Sequence, residues 1–352
     1  MQCMKLLWFS SIPSQLYKPL DSKPDNPLKF NPRVQLLCSS IPYDVAKTDE
    51  NENGQNSVKT LPLPSHVKTI TSTSNPFVKH CLKLRQSSSY RHSHGSVILV
   101  GSTPIRELYR FQNKIEDGLA AIECLLVLDN TNVPEYLNNQ LIRHVNVSSL
   151  VMKKLSGLQS TDSIDMVALI RIPSTFHSIG RYLKEEDCQK WFPSPYRILV
   201  LDGVQDPGNL GTLLRSAMAF RWDGVFLLSD CCDPFNDKAL RASRGASFQL
   251  PIVSGGWTHL DALRRVFHMK IVAGHPAKGA EAKPVSCLSQ DYANSLVETS
   301  LCLVLGSEGN GLSETSKQEC ELVSIPMAGE FESLNVSVAG GIFLYMLQPR
   351  KI

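Results

Sequence analysis

The stretch LVLGSEGNGLS, Leu303 to Ser313, runs a short apolar strand into a glycine-rich turn. Gly306 and Gly311 have the spacing of the two glycines in a phosphate-cradling loop, G-x-x-x-x-G-K-[ST], and Ser313 stands where that motif ends. Leu312 takes the place of the lysine, so the main cation for the β- and γ-phosphates is missing. Glu308 inside the loop would repel phosphates further. The loop is therefore shaped for a close backbone approach to something other than a nucleoside triphosphate. Two more segments put polar residues at the ends of apolar strands, where open parallel sheets bind ligands. In DGVQDPGNLGTLLRS they are Asn209, at a helix N-terminus, and Arg215, in the same helix. In IPMAGEFESLNVSVAGG they are Ser333 and Asn335, at the start of a helix rich in small residues. Bland roles would also account for them: helix caps for the asparagines and the serine, a surface arginine, a turn residue for Glu308. Gly340 and Gly341 inside the last helix cost about 1 kcal/mol each relative to Ala. That cost suggests another backbone packed closely against this face.

Positioning these residues requires alternating strands and helices. After Pro195, YRILVLDGV, DGVFLLS, FQLPIV, KIVAGHP, SLCLVLGSE and LVSIPMA read as strands. Apolar runs such as ILVLD and CLVLG mark buried, parallel strands. Between them, GNLGTLLRSAMAF reads as a helix with Leu210, Leu213, Leu214 and Ala217 on one face. The segments DKALRASRGAS, HLDALRRVFHM, SETSKQECE and SLNVSVAGGIFLYML read as further helices. Residues 66–173 alternate in the same way and predict a smaller α/β domain. Its first helix, in NPFVKHCLKLRQ, has Asn75 as N-cap and Pro76 at the first turn. Its strands are SVILVGS, ECLLVLD, RHVNVSS and DMVALIRIP; its other helices are PIRELYRFQNKI, EYLNNQLI and SLVMKKLSGL. Residues 174–194 read as a charged connector. The histidines of HSH, His92 to His94, read as a solvated Ser-rich turn rather than a metal site.

Length and composition set the outer bounds. A chain of 352 residues, 42% of them apolar, has room for two domains and extra segments. A formal net charge of +3 gives no strong global field, so nucleic-acid binding must use local basic patches. The 10 cysteines include no C-x-x-C and no zinc spacing, which points to free thiols in a reducing compartment and to no metal. No run of 18 apolar residues exists, so no transmembrane helix is expected. Residues 1–65 hold 8 of the 21 prolines and carry Lys5 and Lys18 but no acid before Asp21. That basic, Ser-rich, acid-poor start suits an organellar transit peptide, with a plastid favoured over a mitochondrion. A disordered tail without an address is the alternative. The acidic stretch DENENGQNSVKT reads as linker.

Three separated segments, DPGNLGTLLRSAMAF, LVLGSEGNGLS and IPMAGEFESLNVSVAGGIFLY, resemble in order the three motifs of the SpoU-like RNA ribose 2′-O-methyltransferases of the SPOUT superfamily. Residues 66–173 more weakly resemble the small substrate-binding domain that often precedes this catalytic domain, through SNPFVKHCLKL and KKLSGLQSTDSI. Where the family usually has an acidic EG after the small domain's first strand, this chain has Val100, Gly101 and Ser102. The resemblance implies an α/β fold whose C-terminal segment threads a trefoil knot over residues 195–352. It implies S-adenosylmethionine as the ligand of the glycine loop, held by Leu305, Gly306, Gly311, Ile325, Met327 and Leu334. A lysine beside that cofactor's sulfonium would repel it, which accounts for the missing one. Asn209, Arg215, Glu308, Ser333 and Asn335 match the motifs' polar residues.

An arginine is a poor base because it stays protonated. The resemblance therefore implies that Arg215 binds a phosphate and steadies the alkoxide, and that the arginine can come from the partner in a homodimer. Lys238, Arg241 and Arg244, with Lys79, Lys83 and Arg85 in the small domain, are candidates for RNA phosphates; their alternative is a solvated helix face. Ribosomal RNA is the expected substrate, with transfer RNA as the alternative. A non-catalytic RNA-binding protein of the same fold and an ATPase are rivals, the latter disfavoured by the absent lysine.

Overall fold

The fold is described from a computed structural model over residues 63, 66–112, 122–138, 142–157, 164–180, 186–276, 283–329 and 332–349. The expected targeting segment and acidic linker fall on residues outside these.

The first part of the chain contains β1 (Thr69–Ile70), α1 (Pro76–Gln86), α2 (Ser88–His94), β2 (Ser96–Val100), α3 (Ser102–Gln112), β3 (Ile122–Leu128), β4 (Arg143–Val147), α4 (Ser149–Ser156) and β5 (Met166–Arg171). Asn75 does cap α1, its side chain accepting from the Phe77 N–H at 2.8 Å. The five strands form one mixed sheet in the order β1-β4-β3-β5-β2. Its strands bury alternate residues on two faces. One face packs Val78, Cys81 and Leu84 of α1 and Val151, Met152 and Leu155 of α4. The other packs Ile105 and Leu108 of α3.

The rest follows as β6 (Phe176–Ser178), α5 (Asp187–Trp191), β7 (Arg197–Asp202), α6 (Pro207–Ala219), β8 (Gly224–Leu227), α7 (Asp237–Ser243), β9 (Ile252–Ser254), α8 (Trp257–Val266), β10 (Lys270–Gly274), β11 (Val285–Cys287), α9 (Gln290–Ser295), β12 (Leu301–Gly306), α10 (Glu314–Glu319), β13 (Glu321–Ser324) and α11 (Val336–Met346). Eight of these strands form one sheet, β11-β13-β10-β12-β7-β8-β9-β6, in which every pair is parallel. Such sheets are covered on both faces, and this one is. Leu199, Leu201, Leu303 and Leu305 face α6 and α11, while Ile198, Val200, Cys302 and Val304 face α5 and α8. Burying each such side chain is worth about 1.5–3 kcal/mol. Arg197, only 2% exposed, ties the end of α11 to β7. Its guanidinium donates to the carbonyls of Leu347 and Leu296, each at 2.8 Å.

Several details differ from the sequence reading. The connector expected over 174–194 supplies β6, the edge strand of the large sheet, and α5. β1, β11 and α9 were not expected; they are short and lack a long apolar run. Within EYLNNQLI the described residues form only a 3-10 turn, Glu135–Leu137. His92 to His94 lie in or at the end of α2, not in a solvated turn. His94 stacks on Tyr90 at 3.9 Å, and His92 faces Asp233 at 3.4 Å. Asp233 also takes Arg91, at 2.6 Å, so these contacts fasten α2 to the loop after β8. Phe235, Leu240 and Phe248 complete the core on the α3 side of the smaller sheet.

Candidate functional site

The carboxyl ends of β10, β12 and β13 open onto a cavity of about 380 Å³, within the range of about 300–1,000 Å³ usual for small-ligand sites. Sheet order explains the place. The chain leaves β7 for β8 on one side and later returns to lay β12 on the other, so β7 and β12 flank a switch point.

The glycine-rich loop forms one wall. Ser307 and Gly311 exchange backbone hydrogen bonds at 2.9 and 3.0 Å, closing a tight turn. Gly311 needs its glycine, because its φ is +66°. Gly306 needs its own because the loop's backbone crowds it. A Cβ there would meet the Gly311 carbonyl carbon at 2.3 Å and the Leu312 nitrogen at 2.5 Å. The loop therefore approaches its own backbone closely at Gly306, which also lines the cavity. Gly340 is also needed small, since a Cβ would meet Leu213 Cδ2 at 2.3 Å and Leu305 Cδ1 at 2.8 Å. Gly341 is not, as among the described residues no atom outside the local helix lies within 4 Å of a Cβ there.

Glu308 is the hub of the polar residues. Its Oε1 accepts from the side-chain amides of Asn209 and of Asn335, the latter at 3.1 Å. The cap of α6 is Asp206, which takes the Asn209 N–H at 2.8 Å, so the Asn209 side chain is not spent as a cap. Asn335 does both jobs. Its Oδ1 caps α11 by accepting the Ser337 N–H at 2.9 Å, while its amide reaches Glu308. Ser333 precedes the cap and lines the cavity.

Of the residues expected to hold a cofactor, Leu305, Gly306, Gly311, Ile325, Met327 and Leu334 all line the cavity, with Glu308 and Ser333. Asn209, Asn335 and Arg215 do not line it. The two asparagines join through Glu308, and Arg215 lies exposed on α6. Gly274, His275 and Lys317 line the cavity and were not anticipated. KIVAGHP, a strand that ends in Gly-His-Pro, carried the signal for the first two. Lys317 places a cation where none was expected, ion-paired to Glu314 at 3.1 Å.

The basic candidates divide. Arg241 pairs with Asp237 at 3.0 Å, and Arg244 with Glu107 of α3 at 2.7 Å. Arg85 donates to the carbonyls of Lys154 and Leu155, at 3.1 and 2.5 Å, at the end of α4. Lys79, Lys83 and Lys238 are exposed, with Lys83 lying 5.6 Å from the Tyr90 ring centroid. Among the described residues no three His, Cys, Asp or Glu side chains group as a metal site, and no helix is long and apolar enough to cross a membrane.

Comparison with known proteins bears on this cavity directly. Residues 196–345 match the model of the SpoU rRNA Methylase family, a span that contains every strand end and loop around it. An uncharacterised tRNA/rRNA methyltransferase of Synechocystis is 31% identical over 291 residues, covering 81% of this chain and 94% of its own length. A 23S rRNA guanosine 2′-O-methyltransferase of Bacillus subtilis is 26% identical over 80% of this chain and all of its own. The crystal structure of an RNA 2′-O ribose methyltransferase superposes with a TM-score of 0.59 at 28% identity, over 79% of this chain and 97% of that one. An AdoMet-bound rRNA methyltransferase from Sinorhizobium meliloti shares the fold, with a TM-score of 0.61 at 23% identity over 80% of this chain and 97% of that one. With two of its matching motifs lining one cavity and the remaining one bonded to Glu308 there, this chain belongs to the SpoU rRNA methylase family of RNA methyltransferases.

Proposed function

We propose that this chain transfers a methyl group from S-adenosylmethionine to a ribose 2′-hydroxyl of ribosomal RNA, as a homodimer in an organelle. The observation that carries the reading is that the second and third motifs line one cavity and the first is joined to them through the Asn209–Glu308–Asn335 hydrogen bonds. The chemistry of the lining fits the cofactor. Leu305, Ile325, Met327, Leu334, Val336 and Phe343 offer apolar surface for a purine, and Glu308 and Glu332 suit a cationic sulfonium. When bound, the cofactor supplies an electrophilic methyl group. Tight turning at Gly306 and Gly311 holds the loop backbone towards it, and Glu308, fixed from two helices, keeps the loop in register with α6 and α11. The threaded C-terminal segment that the motifs imply is part of the same reading.

Arg215 would bind the phosphate beside the target ribose and steady the developing alkoxide, while that phosphate or water takes the proton. Among the described residues it has no hydrogen-bond or ion-pair partner, so its charge is unspent. Its surroundings support supply across a dimer. One turn further along α6, Met218 is 37% exposed, and α11 presents Val338 at 53% and Tyr345 at 58%. Gly341, half-buried on the same helix with no described atom outside the local helix within 4 Å of a Cβ, leaves room for a neighbouring backbone. Exposed apolar side chains on two neighbouring helices suit an interface with a second copy. The bulk of the RNA would be gripped by Lys79, Lys83 and Lys238.

Incubating the purified chain with labelled S-adenosylmethionine and ribosomal or transfer RNA, followed by nuclease mapping of 2′-O-methyl sites, tests the reading. Methylation of ribosomal RNA at a ribose is expected. Base methylation, or binding of ATP in place of S-adenosylmethionine, would overturn it.

A further inference from the structure

We infer that Asp202 is a positioning residue for the cofactor, fastening both ends of the 306–313 loop to β7. The inference rests on the functional reading above. Asp202 ends the otherwise apolar run ILVLD and is only 8% exposed. Its carboxylate has no ion pair among the described residues; its partners are neutral. Oδ2 accepts the Ser313 N–H at 2.8 Å and the Ser316 hydroxyl. A buried carboxylate held by neutral donors alone is a poor device for stability. Its position is a better explanation.

Gly306, where the loop leaves β12, is in register with Asp202 across the β7–β12 pair. Ser313, where the loop ends and α10 begins, is bound by the Asp202 side chain. The Ser313 hydroxyl lies 3.0 Å from that of Ser316, which closes the network. The loop thus starts and finishes at one residue, and Ser307, Glu308, Asn310 and Leu312 are presented to the cavity from between these two anchors. Releasing the far anchor would leave the loop to be ordered by the ligand at each binding event, which weakens affinity.

Three variants test this: Asp202→Ala, Asp202→Asn and Ser316→Ala. Affinity for S-adenosylmethionine and S-adenosylhomocysteine is measured by calorimetry, alongside thermal unfolding and the steady-state constants for methyl transfer. Asp202→Ala should weaken cofactor binding about tenfold or more, and Ser316→Ala about threefold, in line with the loss of hydrogen bonds to a charged group. The KM for the cofactor should rise with kcat at saturation little changed. Asp202→Asn keeps an acceptor for the Ser313 N–H and should recover part of the affinity. Folded variants that bind as tightly as wild type, with only their melting temperature lowered, would overturn the inference. Should Asp202→Ala fail to fold, Ser316→Ala decides, because it leaves the carboxylate bound to the Ser313 N–H. A wild-type chain that binds no S-adenosylmethionine would instead overturn the functional reading itself.

Discussion

The side-chain amide of Asn335 donates to the Glu308 carboxylate at 3.1 Å, although 27 positions separate the two in the chain. The same oxygen takes the Asn209 amide, so one exposed carboxylate couples the glycine loop to the starts of two helices. Glu308→Ala should therefore act on function more than on stability. Exposed substitutions usually stay within about 0.5 kcal/mol, whereas loosening a catalytic constellation costs up to about 100-fold in rate. Steady-state kinetics and thermal unfolding of the same preparation check this; a large fall in melting temperature with unchanged kcat/KM would contradict it.

Arg215→Ala should abolish methyl transfer while cofactor affinity and melting temperature stay near those of wild type. The side chain is exposed, outside the cavity lining and without a partner among the described residues. Turnover near the wild-type level would remove Arg215 from the mechanism.

Three glycines should separate three effects. Gly306→Val forces a side chain into the Gly311 and Leu312 backbone, so it should lower the melting temperature as well as cofactor affinity. Gly340→Leu should lower the melting temperature by overpacking against Leu213 and Leu305, at a cost of about 1–3 kcal/mol. Among the described residues nothing outside the local helix lies within 4 Å of a Cβ at Gly341, so Gly341→Leu should leave the protomer folded and shift the proposed dimer towards monomer, as read by sedimentation. A folded, fully dimeric Gly341→Leu variant would count against the proposed interface.

Asp233 should make stability fall in acid. Burial pushes its carboxyl up, but the hydrogen bond with His92, the charge of Arg91 and the donors of Ser88 and Phe235 outweigh that and hold it far below the usual carboxylate range. A depressed carboxyl stabilises the fold above its unfolded value, about 3.9, and loses that contribution as pH drops further. Asp233→Ala leaves Arg91 buried without its partner and should cost about 3–5 kcal/mol near neutral pH. The gap between wild type and variant should narrow below about pH 4, and a gap that held constant down to pH values well below that would exclude this role.

A fluorescent fusion of residues 1–70 should enter plastids, given the acid-free first 20 residues. Cytosolic fluorescence alone would reject that address.

The sequence by itself determined the local pieces. Apolar runs such as ILVLD and CLVLG became parallel strands, Asn75 capped its helix, and the ordered motifs named the polar residues worth following. Such signals depend on neighbours a few positions away, so a linear reading holds them. What lies between distant segments was decided only by tertiary structure. Asn209 looked like a cap until Asp206 proved to hold that place, which freed its amide for Glu308. Arg241 and Arg244 read as candidate phosphate ligands, and only the fold shows that one also pairs with Asp237 a turn away and the other with Glu107, 137 positions distant. Gly306 read as room for a ligand, and only the folded turn shows that it is also room for its own loop. Asp202 drew no notice as the end of a strand, because its meaning arises only when sheet order sets β7 against β12 and brings Ser313 within 2.8 Å. Strand order is fixed by how whole layers bury their faces, and no periodicity within a single segment encodes it.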